Sequence, residues 1–258
     1  MVQFNTWCDE SALAIRGHTL SVMSARAADL EQGCAAMAAA LPVHYAAEEQ
    51  VARVLRRLGR PAAAAHLEGK LPTTKSIRSG DLGEILATEY IGDQTPFSVP
   101  VKRLRWKDHR NMAMRGDDVI GLRFEAGDGQ LRFLKTEAKS RGALGAGVVA
   151  DARAALDKDG GLPSAHALAF ISARLFEAGE TDLADAIDDA QLNTGVPTAS
   201  VTHLLFTFSG NDPTGHLGAC LQTYAGPVAQ RYAGVRIEGH GDFVGAVYDL
   251  VIANAQHD

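Results

Sequence analysis

Two runs, Asp118-Val-Ile-Gly-Leu-Arg-Phe124 and Leu131-Arg-Phe-Leu-Lys-Thr-Glu137-Ala-Lys139-Ser140, flank Glu125-Ala-Gly-Asp-Gly-Gln130, and the way they pair decides the fold. The first carries Val119, Ile120, Leu122 and Phe124 and the second Leu131, Phe133 and Leu134, and Asp128-Gly129 between them is a tight-turn pair, so the stretch predicts a β-hairpin. Side chains alternate along a strand, which points Glu137 and Lys139 the same way with Cα atoms about 6.6 Å apart. Closing a four-residue loop sets Phe124 opposite Leu131. Carried outward, that antiparallel register puts Asp118 opposite Glu137, with Cβ atoms about 4.5–5.5 Å apart. A two-residue turn at Asp128-Gly129 would set Asp118 against Lys139 instead, still on one face. In either register Asp117 projects to the other face, which selects Asp118 over its neighbour; only a one-residue slip or a bulge would reverse the choice.

Two carboxylates about 4 Å apart repel by roughly 4 kcal/mol at an effective dielectric of ~20, a cost with little architectural use. A divalent cation removes it. Oxygen ligands from Asp118 and Glu137, with the Ala138 carbonyl, suit Mg²⁺ or Mn²⁺ rather than zinc, and such an ion retains waters. The chemistry expected is phosphodiester hydrolysis by one of those waters, with Lys139 orienting it or offsetting charge at phosphorus. A plain Glu137–Lys139 salt bridge at a strand end is the competing structural reading. The tripeptide Glu-x-Lys alone is a weak signal, since composition gives about 0.3 chance matches and the chain holds two. Its other copy, Glu68-Gly-Lys70, sits at a helix end, where a charged pair is ordinary surface chemistry.

Upstream, residues 101–115 contain six Lys or Arg against one Asp, a local +5, while the remaining 243 residues carry −11. Arg103, Arg105, Trp106, Lys107 and Arg110 are expected to engage nucleic acid, the cations on phosphates and Trp106 stacked on a base. A solvated basic loop, with Trp106 in the core, is the alternative. Before it, Ser79-Gly80-Asp81 gives an N-cap signal for a helix running to about Tyr90. That helix carries Glu84 and Glu89. Periodicity puts Glu89 on the Leu82, Ile85, Leu86 face and Glu84 roughly opposite; a buried-face glutamate needs a partner, and spacing leaves open which acid joins the site.

Further out, the first seventy residues read mainly as helix, over 24–40 and from Ala46 to Leu58, with a short turn from Pro61 to Leu71. Helices are expected over Gly142–Asp157, Ser164–Ala178 and Asp242–Ala253, with a strand over Val201–Phe208. The acid-rich stretch 177–189 reads as a solvated helix face. The fold class is α/β or α+β, with a helical N-terminal section over 1–72 and the site-bearing domain, with its C-terminal elaboration, over 73–258. Hydrophobic content of 46% is ample for a core. Cys8, Cys34 and Cys220 are odd in number and widely spaced, which points to free thiols rather than disulfides or zinc. No apolar run has membrane length and the start lacks a signal-peptide layout, so no membrane partner and a cytoplasmic location are expected.

Arg78-Ser-Gly-Asp-Leu-Gly-Glu84-Ile-Leu-Ala87, Gly116-Asp-Asp118-Val-Ile120 and Glu137-Ala-Lys139 together resemble the PD-(D/E)-x-K nuclease superfamily in order and spacing. With Trp106-Lys-Asp-His-Arg110 and Leu134-Lys-Thr-Glu-Ala-Lys139, residues 75–142 resemble more closely the HamA-like nuclease subunits of the Hachiman anti-phage system. The resemblance implies a restriction-endonuclease-like core sheet with flanking helices. It also implies a Mg²⁺- or Mn²⁺-dependent DNA endonuclease and a superfamily 2, HamB-like helicase partner. It gives Glu84 and Asp118 the acid roles and makes Glu137 and Lys139 the motif pair, with Glu84, Asp118 and Glu137 as metal ligands. The superfamily's usual proline before the aspartate is Asp117 here, which keeps Asp117 as a possible substitute ligand.

Overall fold

Val119 pairs with Thr136 and Phe124 with Leu131, so the hairpin adopts the register that sets Asp118 opposite Glu137. The fold is that of a computed structural model, which describes residues 1–125 and 129–257; Asp128 of the expected turn lies outside the described residues. The strands are β1 (Cys8–Ile15), β2 (His18–Ala25), β3 (Val119–Phe124), β4 (Leu131–Arg141), β5 (Val201–Ser209) and β6 (Ala229–Arg236). Among the described residues they form one six-stranded mixed sheet in the order β1-β2-β6-β5-β4-β3. Its four inner strands run parallel, and an antiparallel neighbour closes each edge. The expected mixed α/β class is the one observed.

The helices are α1 (Leu30–Ala40), α2 (Pro42–Tyr45), α3 (Glu48–Leu58), α4 (Arg60–Lys70), α5 (Lys75–Gln94), α6 (Ala146–Leu156), α7 (Ala165–Ala178), α8 (Thr181–Asp189), α9 (Thr214–Thr223) and α10 (His240–His257). They cover both faces, which is what buried parallel strands require. Alternation along β5 divides the core. Leu204, Phe206 and Phe208 pack with Leu82, Ile85 and Tyr90 of α5 and with Val247 and Tyr248 of α10. Leu205 turns the other way, onto Val149 and Ala152 of α6 and Leu217 and Leu221 of α9.

Several expectations are corrected. Residues 8–25 are a β-hairpin rather than part of a helical front section, and they join the same sheet as β3–β6, so the sheet crosses the 72/73 boundary. β2 is an inner strand buried on both faces from Leu20 to Met23, and its short polar–apolar alternation, Thr19-Leu20-Ser21-Val22, was the available signal. Its turn, Arg16-Gly17, has φ of 52° and 82°, the left-handed pair that favours a two-residue hairpin. Helix α1 begins at Leu30 rather than near residue 24, because Ser24 and Ala25 are the last residues of β2. The expected turn over Pro61–Leu71 is α4, with Pro61 in its first turn, where the missing N–H costs nothing. Helix α5 begins at Lys75, so Asp81 is an interior position and not a cap. Strand β6 and helix α9 had no expectation.

Candidate active site

Asp118 lies one residue before β3, where the ladder stops. The Glu125 N–H donates to the Gln130 carbonyl, which fixes every second pair as hydrogen-bonded and would match the Ala138 N–H to the Asp117 carbonyl. That rung is replaced. Asp118 Oδ2 accepts the Ala138 N–H at 2.9 Å, while the Asp117 carbonyl accepts from Arg103 Nη1. Asp118 is therefore anchored to the residue between Glu137 and Lys139, and those two side chains form an ion pair. The salt bridge of the structural reading is thus present, next to the aspartate that the catalytic reading requires.

Helix α5 brings the remaining acid. A Cβ at Gly83 would lie 3.1 Å from Ser140 Cβ, so glycine lets this helix approach β4 closely beside Lys139. Ser79 Oγ and Ser140 Oγ, 2.7 Å apart, and Ser140 Oγ and His240 Nε2, 2.9 Å apart, tie α5, β4 and α10 at the same level. Glu84 then faces the Asp118 end of the sheet. Arg103 stands between the two acids, its Nε 3.3 Å from Glu84 Oε2 and its Nη2 3.9 Å from Asp118 Oδ1. That Nη2 is buried without a hydrogen-bond partner among the described residues. Glu84, Asp118 and Arg103 line one cleft whose walls are apolar, including Val99, Val101, Met114 and Phe170.

The electrostatics follow from this crowding. Burial, and next the charge of Asp118, push the Glu84 carboxyl up to about 8, with Arg103 pulling it back. Burial, and next Glu137, push Asp118 up to about 6, against Arg103, the Ala138 N–H and Lys139. Asp118 thus raises Glu84 and Glu137 raises Asp118, a crowding of carboxyl groups that a cation would relieve. Glu84, Asp118 and Glu137 supply only carboxylate oxygens, which fits a hard divalent ion such as Mg²⁺ or Mn²⁺. As arranged, Arg103 and Lys139 neutralise them, and among the described residues no three acidic, histidine or cysteine side chains converge on one metal position.

The other acids are committed to other partners. Glu89 accepts the Val2 N–H and pairs with His44 Nε2, both at 2.9 Å. Burial disfavours its charge, but His44, the Val2 N–H and Lys102 outweigh that and hold it at about 2. Asp117 diverges from Asp118: its Oδ2 accepts the Ser164 N–H at 2.8 Å and its Oδ1 lies 3.6 Å from Lys135 Nζ. Lys135, fully buried, also donates to the Lys158 and Leu162 carbonyls. Sequence reasoning missed this anchor, although a lysine at the centre of an apolar strand was the available signal, since a buried cation needs partners.

Of the five residues expected on nucleic acid, Arg103 and Lys107 turn inward. Lys107 is buried against Asp81, at 2.9 and 2.7 Å from its two oxygens, and Asp81 also accepts from Tyr45 Oη at 2.7 Å. Arg105 donates its Nε to the Val43 carbonyl and Arg110 reaches the Glu68 carbonyl. Trp106 is 36% exposed, set edge-on to Phe170 with the Arg174 guanidinium over its ring. The expected solvated acidic face is α8, which buries Ala184 and Ile187 and leaves most of its acids outside. All three cysteines are free thiols. Among the described residues no helix is long and apolar enough to cross a membrane.

The HamA family model matches residues 1–251 of this chain. Over 138 residues the chain is 27% identical to the Hachiman protein HamA of Bacillus cereus, a match that covers 54% of this chain and 48% of that protein. The chain thus spans about half the length of the curated relative it matches.

Proposed function

Because the chain belongs to the HamA family, we propose that it is a metal-dependent DNA endonuclease of the PD-(D/E)-x-K type, acting in anti-phage defence in the cytoplasm beside a superfamily 2 helicase. The observation that carries this reading is that Asp118 is anchored to the peptide between Glu137 and Lys139, with Glu84 of α5 joined to it through Arg103. Membership of the family supports the defence setting; the helicase partner and the chemistry are part of the proposal.

Glu84, Asp118 and Glu137 would hold Mg²⁺ or Mn²⁺. When bound, such an ion would polarise phosphoryl oxygens and acidify a water. The protein's own groups do the rest. The Ala138 N–H fixes one Asp118 oxygen and leaves the other toward Arg103. Lys139, a compact charge beside Glu137, orients the attacking water or offsets charge at phosphorus. The apolar walls keep the cleft at low dielectric, where each charge acts more strongly.

One observation favours a second reading, a nuclease-fold module that docks DNA or the helicase without cutting: Arg103 and Lys139 already neutralise the acids. Incubating supercoiled plasmid with Mg²⁺, Mn²⁺ or EDTA, with and without a HamB-like helicase, separates the two. Cation-dependent nicking that disappears in Glu137→Gln/Lys139→Met supports the nuclease. Plasmid left intact under every condition by a folded protein that still binds DNA or the helicase overturns it in favour of docking.

A further inference from the structure

The 3-10 turn Arg103–Trp106 separates two charge environments. On one side Arg103 is committed to Glu84 and Asp118, and Leu104 is buried beneath the turn. On the other, Arg105 and the segment to Arg110 lie across α4 and bound an open groove of about 520 Å³ with His66 and Lys70. Four Lys or Arg line it against one acid, Asp108, in a chain whose net charge is −6. Lys107 spends its charge on Asp81. Lys70, Arg105 and Arg110 form no ion pair among the described residues, while main-chain carbonyls of Val43 and Glu68 hold the two guanidinium groups in place. Guanidinium groups outside any close ion pair suit phosphate oxygens, and of the two Arg105 also feels carboxylates, Glu49 and Glu48. The groove is open and half polar, unlike the apolar cleft at the acids, and so suits a solvated backbone better than a small apolar ligand.

We propose that this groove is the track for the nucleic-acid backbone that flanks the cleaved phosphate, with Lys70, Arg105 and Arg110 as its phosphate contacts. The assignment rests on the nuclease reading for its orientation: a strand with one phosphate at Asp118 crosses the 103–106 turn over Arg105 to reach α4. It gives Lys70, from the Glu68-Gly-Lys70 copy of the motif, a role in binding and none in chemistry. Backbone contacts of this kind carry no sequence information and depend strongly on salt.

The test is binding of a labelled duplex oligonucleotide by the whole chain, followed by fluorescence anisotropy across a KCl series in EDTA, where no cleavage occurs. Each phosphate contact on duplex DNA contributes about 0.9 to the slope of log K against log salt. Lys70→Gln/Arg110→Gln is expected to lower that slope by about 2, equally for unrelated sequences. Lys70→Gln alone, at the exposed end of α4, should lower it by about 1 should the double variant fold poorly. Arg56→Gln/Arg57→Gln, on the exposed face of α3, should leave it unchanged. An unchanged slope in the groove variants, an equal fall in the α3 control, or no binding by the wild type each overturns the track. Failure of the nuclease reading looks different: slope lost as expected, but plasmid never nicked with Mg²⁺ or Mn²⁺.

Discussion

Asp118 Oδ2 accepts the backbone N–H of Ala138 at 2.9 Å, which couples the aspartate to the peptide between Glu137 and Lys139. The amide oxygen of asparagine can accept the same N–H without carrying charge. Asp118→Asn is therefore expected to lower plasmid nicking by about a hundredfold or more while changing stability by less than about 1 kcal/mol. Asp118→Ala should cost about 1–3 kcal/mol besides, because the Ala138 N–H is left unpaired. Urea melts beside nicking assays check both; an active Asp118→Asn would remove Asp118 from the site.

Arg103 is the cation beside both Glu84 and Asp118, so its removal leaves the buried Asp118 charge without that partner and favours the protonated form of Glu84 further. Breaking a buried pair typically costs about 3 kcal/mol or more. In EDTA, Arg103→Met is expected to melt roughly 6–12 °C below the wild type. Millimolar Mn²⁺ should restore more of that loss in the variant than it adds to the wild type, since the ion then meets acids with no competing guanidinium. Equal Mn²⁺ shifts in both proteins would show that Arg103 and the cation do not share a position.

Glu89 is held at about 2 against an ordinary value of 4.5. A depressed acid stabilises the fold above its ordinary value and loses that contribution as pH falls through its folded value. Glu89→Gln is expected to cost about 3 kcal/mol at pH 7. The gap to the wild type should narrow from pH 4.5 downward and nearly close by pH 2. Denaturation at several pH values tests the sign, and a gap that widened in acid would contradict the pairing with His44.

Lys135 and Asp117 form a buried pair behind the site, and Asp117 fixes the Ser164 N–H at the start of α7. Lys135→Met strands the Asp117 charge and removes a donor from two carbonyls, at an expected cost of about 3–5 kcal/mol. Asp117→Asn/Lys135→Met should recover part of this, because no charge is left unpaired. A double variant as unstable as the sum of the singles would mean that the two groups act independently.

The residues by themselves determined what is local to the hairpin. Apolar alternation and Asp128-Gly129 predicted two paired strands, and the period of two put Glu137 and Lys139 together and Asp118 opposite them, in the register observed. The motif order supplied the family, now matched across residues 1–251. Tertiary structure decided the rest, because it depends on partners distant in the chain. Glu84 and Glu89 lie on one helix with similar claims. Only the fold brings His44 and the Val2 N–H to Glu89 and leaves Glu84 to Arg103 and Asp118. The basic run 101–115 looked uniform in sequence, yet its 3-10 turn sends Arg103 to the acids and Arg105 to the opposite groove. β2 alternates only over Thr19-Leu20-Ser21-Val22 before Met23 breaks the pattern, and its place as an inner strand was set by the distant β6.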